Sequence, residues 1–103
     1  MSCAQIMKLL ADETRLAVVE RLLERPRHVH ELNAELRIDP TLLSHHLRVL
    51  REGGLVIAAR DGKALLYRIA PNVRHASRSR ALDFGCCMLC FSQPNSRTRG
   101  ESS

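Results

Sequence analysis

The first half of the chain sets its apolar residues at helical spacing. Cys3, Ile6, Met7 and Leu10 share one stripe and predict a short opening helix. Asp12 can cap the next helix, whose line of Leu16, Val19 and Leu23 must end before Pro26. A third helix is expected from about Val29 to Leu36. Asp39 followed by Pro40 then gives a strong start signal: a carboxylate cap, and a residue that needs no amide partner at the first helical position. Gly53 and Gly54 supply the stop. At about 100° per residue, Leu43, His46, Leu47 and Leu50 form one face of this fourth helix. Thr41, Ser44, His45 and Arg48 form the opposite face.

After the glycines the pattern changes. "LVIAAR" and "KALLYRIA" flank Asp61-Gly62, a pair suited to the positive φ angles of a two-residue turn. They predict a β-hairpin with Arg60 and Lys63 near its tip. Pro71 is expected to open a final helix running toward Phe84. Its stripe of Val73, Ala76, Ser77, Arg80 and Phe84 is only weakly apolar, and Gly85 stops or bends it. Residues 1–91 thus read as one domain and residues 92–103 as a disordered tail. Two short helices joined by a tight turn, followed by a basic hairpin, predict a mainly α fold with a β-hairpin wing (α+β), a winged helix-turn-helix.

Composition narrows the function classes. A chain of 103 residues has room for one domain with a modest core, and 3% aromatic content makes that core aliphatic. It also argues against a single-strand binder that stacks bases on aromatic platforms. The formal charge of +5 favours an anionic partner, and the tail's Arg97 and Arg99 against Glu101 carry little of it. No apolar run approaches the roughly 18 residues of a membrane span. The opening "MSCAQIMKLLADE" does not look like a signal peptide, so a cytoplasmic location and reduced thiols are expected.

The polar face of the fourth helix suits double-stranded DNA. Thr41, Ser44, His45 and Arg48 can reach base edges and phosphates while the leucines anchor the helix, and Arg60 and Lys63 would meet the backbone or a neighbouring minor groove. The plain alternative is a solvated helix face beside an ordinary hairpin. His45 and His46 point about 100° apart and cannot easily share an ion. His46 lies on the leucine stripe and reads as a hydrogen-bonded core residue.

"LADETRLAVVERLLE", "HVHELNAELRIDPTLLSHHLRVLREGGLV" and "DGKALLYRI" together resemble the ArsR/SmtB family of bacterial metal-responsive repressors over roughly residues 6 to 70. The resemblance implies a homodimer built on the first and last helices, which holds operator DNA until a metal or metalloid binds. It also implies DNA contacts on Thr41, Ser44, His45 and near Arg60 and Lys63. Two customary sites of the family look absent. Where its metalloid sensors carry Cys-x-Cys, this chain has His28-Val29-His30-Glu31, which leaves a zinc site conceivable only at a frayed helix start. The acidic and histidine pairs of the zinc sensors' last helix have only His75 and Asp83 here, differently arranged.

"LDFGCCMLCF" holds three of the four cysteines. On a helix Cys86 and Cys90 lie one turn apart, and a loop opened by Gly85 would let Cys86, Cys87 and Cys90 all turn inward. Phe84, Met88, Leu89 and Phe91 offer an apolar surround. Three thiols without imidazole or carboxylate favour a soft centre, so the expected inducer is As(III) or Sb(III). Cadmium, zinc or lead come second, with Cys3 as an optional additional ligand. ArsR-like repressors with C-terminal metalloid thiols strengthen this expectation. Small apolar filling at a dimer interface is the bland alternative for the cysteines, as it is for Cys3. Cys87 and Cys90 form a C-x-x-C, so thiol-redox or persulfide sensing stays open. A thiol oxidoreductase would want a βαβ unit that the chain lacks. A metal carrier would leave the helix-turn-helix without purpose. The expectation is a repressor, not an enzyme, needing no cofactor to bind DNA.

Overall fold

The computed structural model describes residues 1–92, and the expected tail lies outside the described residues apart from Ser92. Four helices come first: α1 (Cys3–Leu10), α2 (Glu13–Glu24), α3 (Val29–Leu36) and α4 (Pro40–Glu52). A short strand β1 (Arg27–His28) precedes α3, and the hairpin of β2 (Val56–Asp61) and β3 (Ala64–Ile69) follows α4. One 3-10 turn (Pro71–Val73) leads to a second hairpin, β4 (Ala81–Asp83) and β5 (Met88–Cys90). The first sheet runs β1-β3-β2 and is antiparallel throughout.

Local chemistry accounts for the helix ends. Ser2 and Gln5 form a reciprocal capping box on α1, with the Gln5 N–H donating to Ser2 Oγ (3.2 Å) and the Ser2 N–H to Gln5 Oε1 (2.8 Å). Asp12 accepts from the Arg15 N–H (3.0 Å) at the start of α2, and Asp39 from that of Leu42 (3.1 Å) at the start of α4. Between α3 and α4 the chain turns through Arg37, whose φ of 55° is left-handed. The Asn33 side chain closes this turn on the Ile38 carbonyl at 2.5 Å. These caps fix the angle at which α4 leaves α3.

The core is aliphatic. Val18, Val19 and Leu22 of α2, Leu32 of α3, Leu43, Leu47 and Leu50 of α4, and Leu55, Val56 and Leu82 are all but fully buried. Each contributes on the order of 1.5–3 kcal/mol by leaving water. The wing's register pairs Asp61 with Ala64, so its two-residue turn is Gly62-Lys63, one position beyond Asp61-Gly62. Gly62 at the first central position takes φ +68°, which a side chain would strain.

The final helix expected from Pro71 to Phe84 does not form. After the single 3-10 turn, His75 Nδ1 accepts the N–H groups of Ser77 and Arg78 (3.1 Å each), and the serine-rich stretch turns back on itself. With so weak an apolar stripe, a helix there would bury little. β4 instead pairs with β5 and inserts Leu82 into the core. Arg80 anchors this hairpin to α2 through Glu20 (2.6 Å) and Glu24 (3.6 Å), and the Arg74 guanidinium donates to the carbonyls of Leu22 and Leu23 (3.4 Å each). The surface beside α1 is therefore formed by a hairpin, which changes what a dimer built on the first and last helices would use. Among the described residues no helix is long and apolar enough to cross a membrane.

Candidate functional site

The polar face expected to meet DNA is assembled by α4. Leu43, His46, Leu47 and Leu50 are buried, and Thr41, Ser44, His45 and Arg48 are exposed on the other side. Arg60 and Lys63 are likewise exposed on the wing. His46 is a strut: its Nδ1 lies 3.2 Å from Arg15 Nη1 and its Nε2 4.0 Å from Asp12 Oδ1. Burial is the main cause that lowers its pKa, and the Asp12 carboxylate opposes it. Arg15 also donates through Nε to the Leu9 carbonyl (2.5 Å), so one guanidinium joins the end of α1 to α4.

The start of α3 is an ion-pair knot. The Glu31 side chain accepts from the His28 N–H (2.8 Å) and faces His28 Nδ1 (3.2 Å), while His28 Nε2 faces Asp61 of β2 (2.8 Å). The His28 amide, helped by Arg25, lowers the Glu31 pKa to about 2, and Asp61 chiefly raises that of His28. His28 and His30 stack with centroids 5.5 Å apart. Both ring nitrogens of His28 are thus occupied by carboxylates, and His28, His30 and Glu31 do not converge as a metal set.

The thiols do converge, but in a different combination from Cys86, Cys87 and Cys90. Cys3 opens α1, and Cys86 and Cys87 lie in the four-residue turn between β4 and β5. That turn is held by Phe84 N–H to Cys87 O (2.9 Å), by Gly85 N–H to Asp83 Oδ1 (2.8 Å) and by Gly85 at φ +86°. Cys3 and Cys86 are joined as a disulfide with Cα atoms 6.1 Å apart. Cys87 Sγ lies 3.3 Å from Cys3 Sγ and 3.9 Å from Cys86 Sγ. All three sulfurs fall within 4.8 Å of one another, the one such convergence of three metal-binding side chains among the described residues.

Cys90 is elsewhere, exposed on β5 opposite Ala81. Strand alternation sets it on the face of Met88, away from that of Leu89. Asp83 is spent on the Gly85 amide and His75 on its own turn, so neither joins the sulfurs. A groove of about 230 Å³ adjoins the cluster, lined by Ile6, Met7, Leu10, Phe84, Cys87 and Met88 among others. Sulfur-only donors beside apolar walls fit a thiophilic ion and offer nothing to a hard one. Sequence reasoning left Cys3 between a packing role and an optional additional ligand, because its nearness to Cys86 is a tertiary fact.

Residues 12–58 match the family described as "Bacterial regulatory protein, arsR family". The chain is 40% identical over 70 residues to the arsenical resistance operon repressor of Escherichia coli, a match covering 67% of this chain and 60% of that protein. The crystal structure of Rv0081 from Mycobacterium tuberculosis superposes with a TM-score of 0.63 at 43% identity, covering 65% of this chain and 68% of that one. The homodimeric winged helix-turn-helix DNA-binding domain of Mb0332 from Mycobacterium bovis gives 0.61 at 36% identity, covering 65% and 62%. The chain spans only 51% to 60% of the length of the first curated relatives it matches. The family match over residues 12–58, the shared fold and this degree of identity together show that the chain belongs to the arsR family of bacterial regulatory proteins.

Proposed function

We propose that the protein is a homodimeric DNA-binding repressor whose operator is released when a soft metalloid, As(III) or Sb(III), binds Cys3, Cys86 and Cys87. The convergence of those three sulfurs, with no imidazole or carboxylate among them, carries the reading. Arsenous acid condenses with three thiols to give three As–S bonds and three waters, so the site must first be reduced at Cys3–Cys86 by a cellular thiol. Cadmium, zinc or lead are the second choice of inducer, and zinc and cadmium would want a fourth ligand.

Thr41, Ser44, His45 and Arg48 would read the major groove, and Arg60 and Lys63 the phosphates. Two copies would set their recognition helices in successive major grooves, about 34 Å apart. The homodimeric relative supports that pairing. So does the apolar face of α1 and the second hairpin, where Met7 and Met88 are 62% and 46% exposed.

Coupling follows the bonded path. Ligation draws Cys3 against the β4–β5 turn and so loads α1. Leu9, Arg15 and His46 pass that load to the recognition helix, while Arg74 and Arg80 hold the hairpin to α2. A shift worth about 1–3 kcal/mol suffices to release DNA without unfolding. The test is operator release followed by fluorescence anisotropy under arsenite, antimonite, cadmium, zinc, lead and oxidants, in reduced protein and in each cysteine-to-serine variant. A full arsenite response in a Cys3→Ser, Cys86→Ser, Cys87→Ser triple variant would remove the proposal.

The Cys3–Cys86 disulfide favours a second reading, thiol-redox or persulfide sensing by the same turn. There the two thiols lose two electrons and two protons to a peroxide, which leaves as water and an alcohol or a second water. Release by oxidants alone would select it.

A further inference from the structure

His28 occupies a position that neither the thiol cluster nor the recognition face explains. It is the residue before α3, the first helix of the helix-turn-helix, and its ring reaches Asp61, the residue before the wing's turn. Its second ring nitrogen faces Glu31. We infer that His28 is a positioning residue for DNA contact, tying the wing to α3 and cancelling the Asp61 carboxylate between the phosphate-facing Arg60 and Lys63. The inference rests on the DNA-binding reading above and adds to it a residue that touches no DNA.

The chemistry of the ring carries the argument. Both of its partners are carboxylates, which accept and cannot donate when ionised. Only the imidazolium has two N–H donors, so both bonds hold together only while His28 is charged. A neutral ring keeps one bond and turns a lone pair toward the other carboxylate. The remaining surroundings reinforce this charge balance. Arg25 from the end of α2 pairs with Glu31 (3.3 Å), and His30 stacks on the ring. The β3 neighbour across the strand, Leu66, is apolar, and Arg27 beside it is committed to Glu24 and Glu35. Asp61 therefore has one cationic partner in reach among the described residues, and that partner is His28. Without it, a bare carboxylate at the wing tip sits within a Debye length of the phosphates that Arg60 and Lys63 approach, and repels them.

Two measurements test this on the reduced full chain. In the first, the ring proton of His28 is followed by NMR through pH in wild type and in Asp61→Asn. The midpoint is raised in wild type and should fall in the variant, and an unmoved midpoint overturns the inference. In the second, affinity for a mixed-sequence duplex is measured at constant ionic strength from about pH 6 to 9, since phosphate contact is sequence-independent. Wild type should lose about three- to tenfold more affinity than His28→Gln across that range, in line with one charge-assisted contact. Asp61→Asn should bind at least as tightly as wild type with the extra pH dependence gone. Groups common to all three proteins cancel from the comparison. Matching profiles for wild type and His28→Gln overturn the inference while leaving DNA binding intact. Absence of binding to any duplex at any pH overturns the DNA-binding reading itself, and the inference with it.

Discussion

Cys87 Sγ lies 3.3 Å from Cys3 Sγ although 84 residues separate them in the chain. The pair joins the first residue of α1 to the turn of the second hairpin, so a ligand held there bridges the two segments that flank the apolar groove. Serine at position 3 removes a proposed ligand without touching the helix cap, which belongs to Ser2 and Gln5. Cys3→Ser should therefore keep operator affinity and lose release by arsenite. Cys90→Ser, on an exposed strand position, should change release by no more than about twofold. Anisotropy titrations of the two variants side by side decide it, and a normal response in Cys3→Ser would assign the site to other sulfurs.

Helices α1 to α4 were legible because their signals are local: Asp12 and Asp39 cap, Pro40 starts, Gly53 and Gly54 stop, and the leucines keep one face. The wing was legible too, but its turn fell one residue later, on a glycine able to take positive φ first. The second hairpin was not legible as strands. Its strands are three residues each, too short to show alternation, and Leu82 is buried by contacts with elements far back in the chain. For the thiols, sequence spacing favoured the trio nearest in sequence. Strand geometry carries Cys90 away from the turn, and folding brings Cys3 to it. The His28–Asp61 bond left no signal at all, since nothing in a separation of 33 residues announces it.

Leu82 fastens the hairpin that carries Cys86 and Cys87, and it is fully buried. Leu82→Ala should cost about 2–5 kcal/mol of stability, as aliphatic truncations in cores do. Its more specific effect is on the proposed thiol site, because a loosened hairpin no longer holds two sulfurs opposite Cys3. Urea unfolding should give the loss of stability, and arsenite titration of the still-folded variant should show weakened binding. Unimpaired arsenite affinity would mean that the turn keeps its shape without the core anchor.

Among the described residues, Arg15 is the single side chain that bonds both the end of α1 and α4, through the Leu9 carbonyl and His46. Shortening it to glutamine should leave the thiols able to bind metalloid but cut the communication. The expected result is unchanged arsenite binding with operator release reduced by about two- to thirtyfold, the range of coupling changes of 0.5–2 kcal/mol. Binding followed by thiol absorbance and release followed by anisotropy separate the two quantities. Equal losses in both would make Arg15 a structural support of the site and not a relay.

His46 gives stability an acid limb whose sign follows from its burial. Its folded-state pKa is lowered below the ordinary value of 6.5, so the unfolded chain takes up the proton more readily. The stabilisation is fully present above about pH 6.5 and is lost as pH falls through the lowered folded value. Glu31 and Asp12, whose pKa values are also lowered, add a further loss below their ordinary range, Glu31 down to about 2. His28 runs the other way: its raised pKa stabilises at low pH and that contribution fades as pH rises through the folded value. Thermal midpoints of the reduced protein should therefore rise from acid to a maximum near neutrality and decline gently beyond it. His46→Gln should flatten the limb just below pH 6.5 while leaving the steeper carboxylate limb in place. If the variant keeps the whole acid slope, the buried imidazole is not what sets it, and the paired carboxylates Glu31 and Asp12 carry that limb alone.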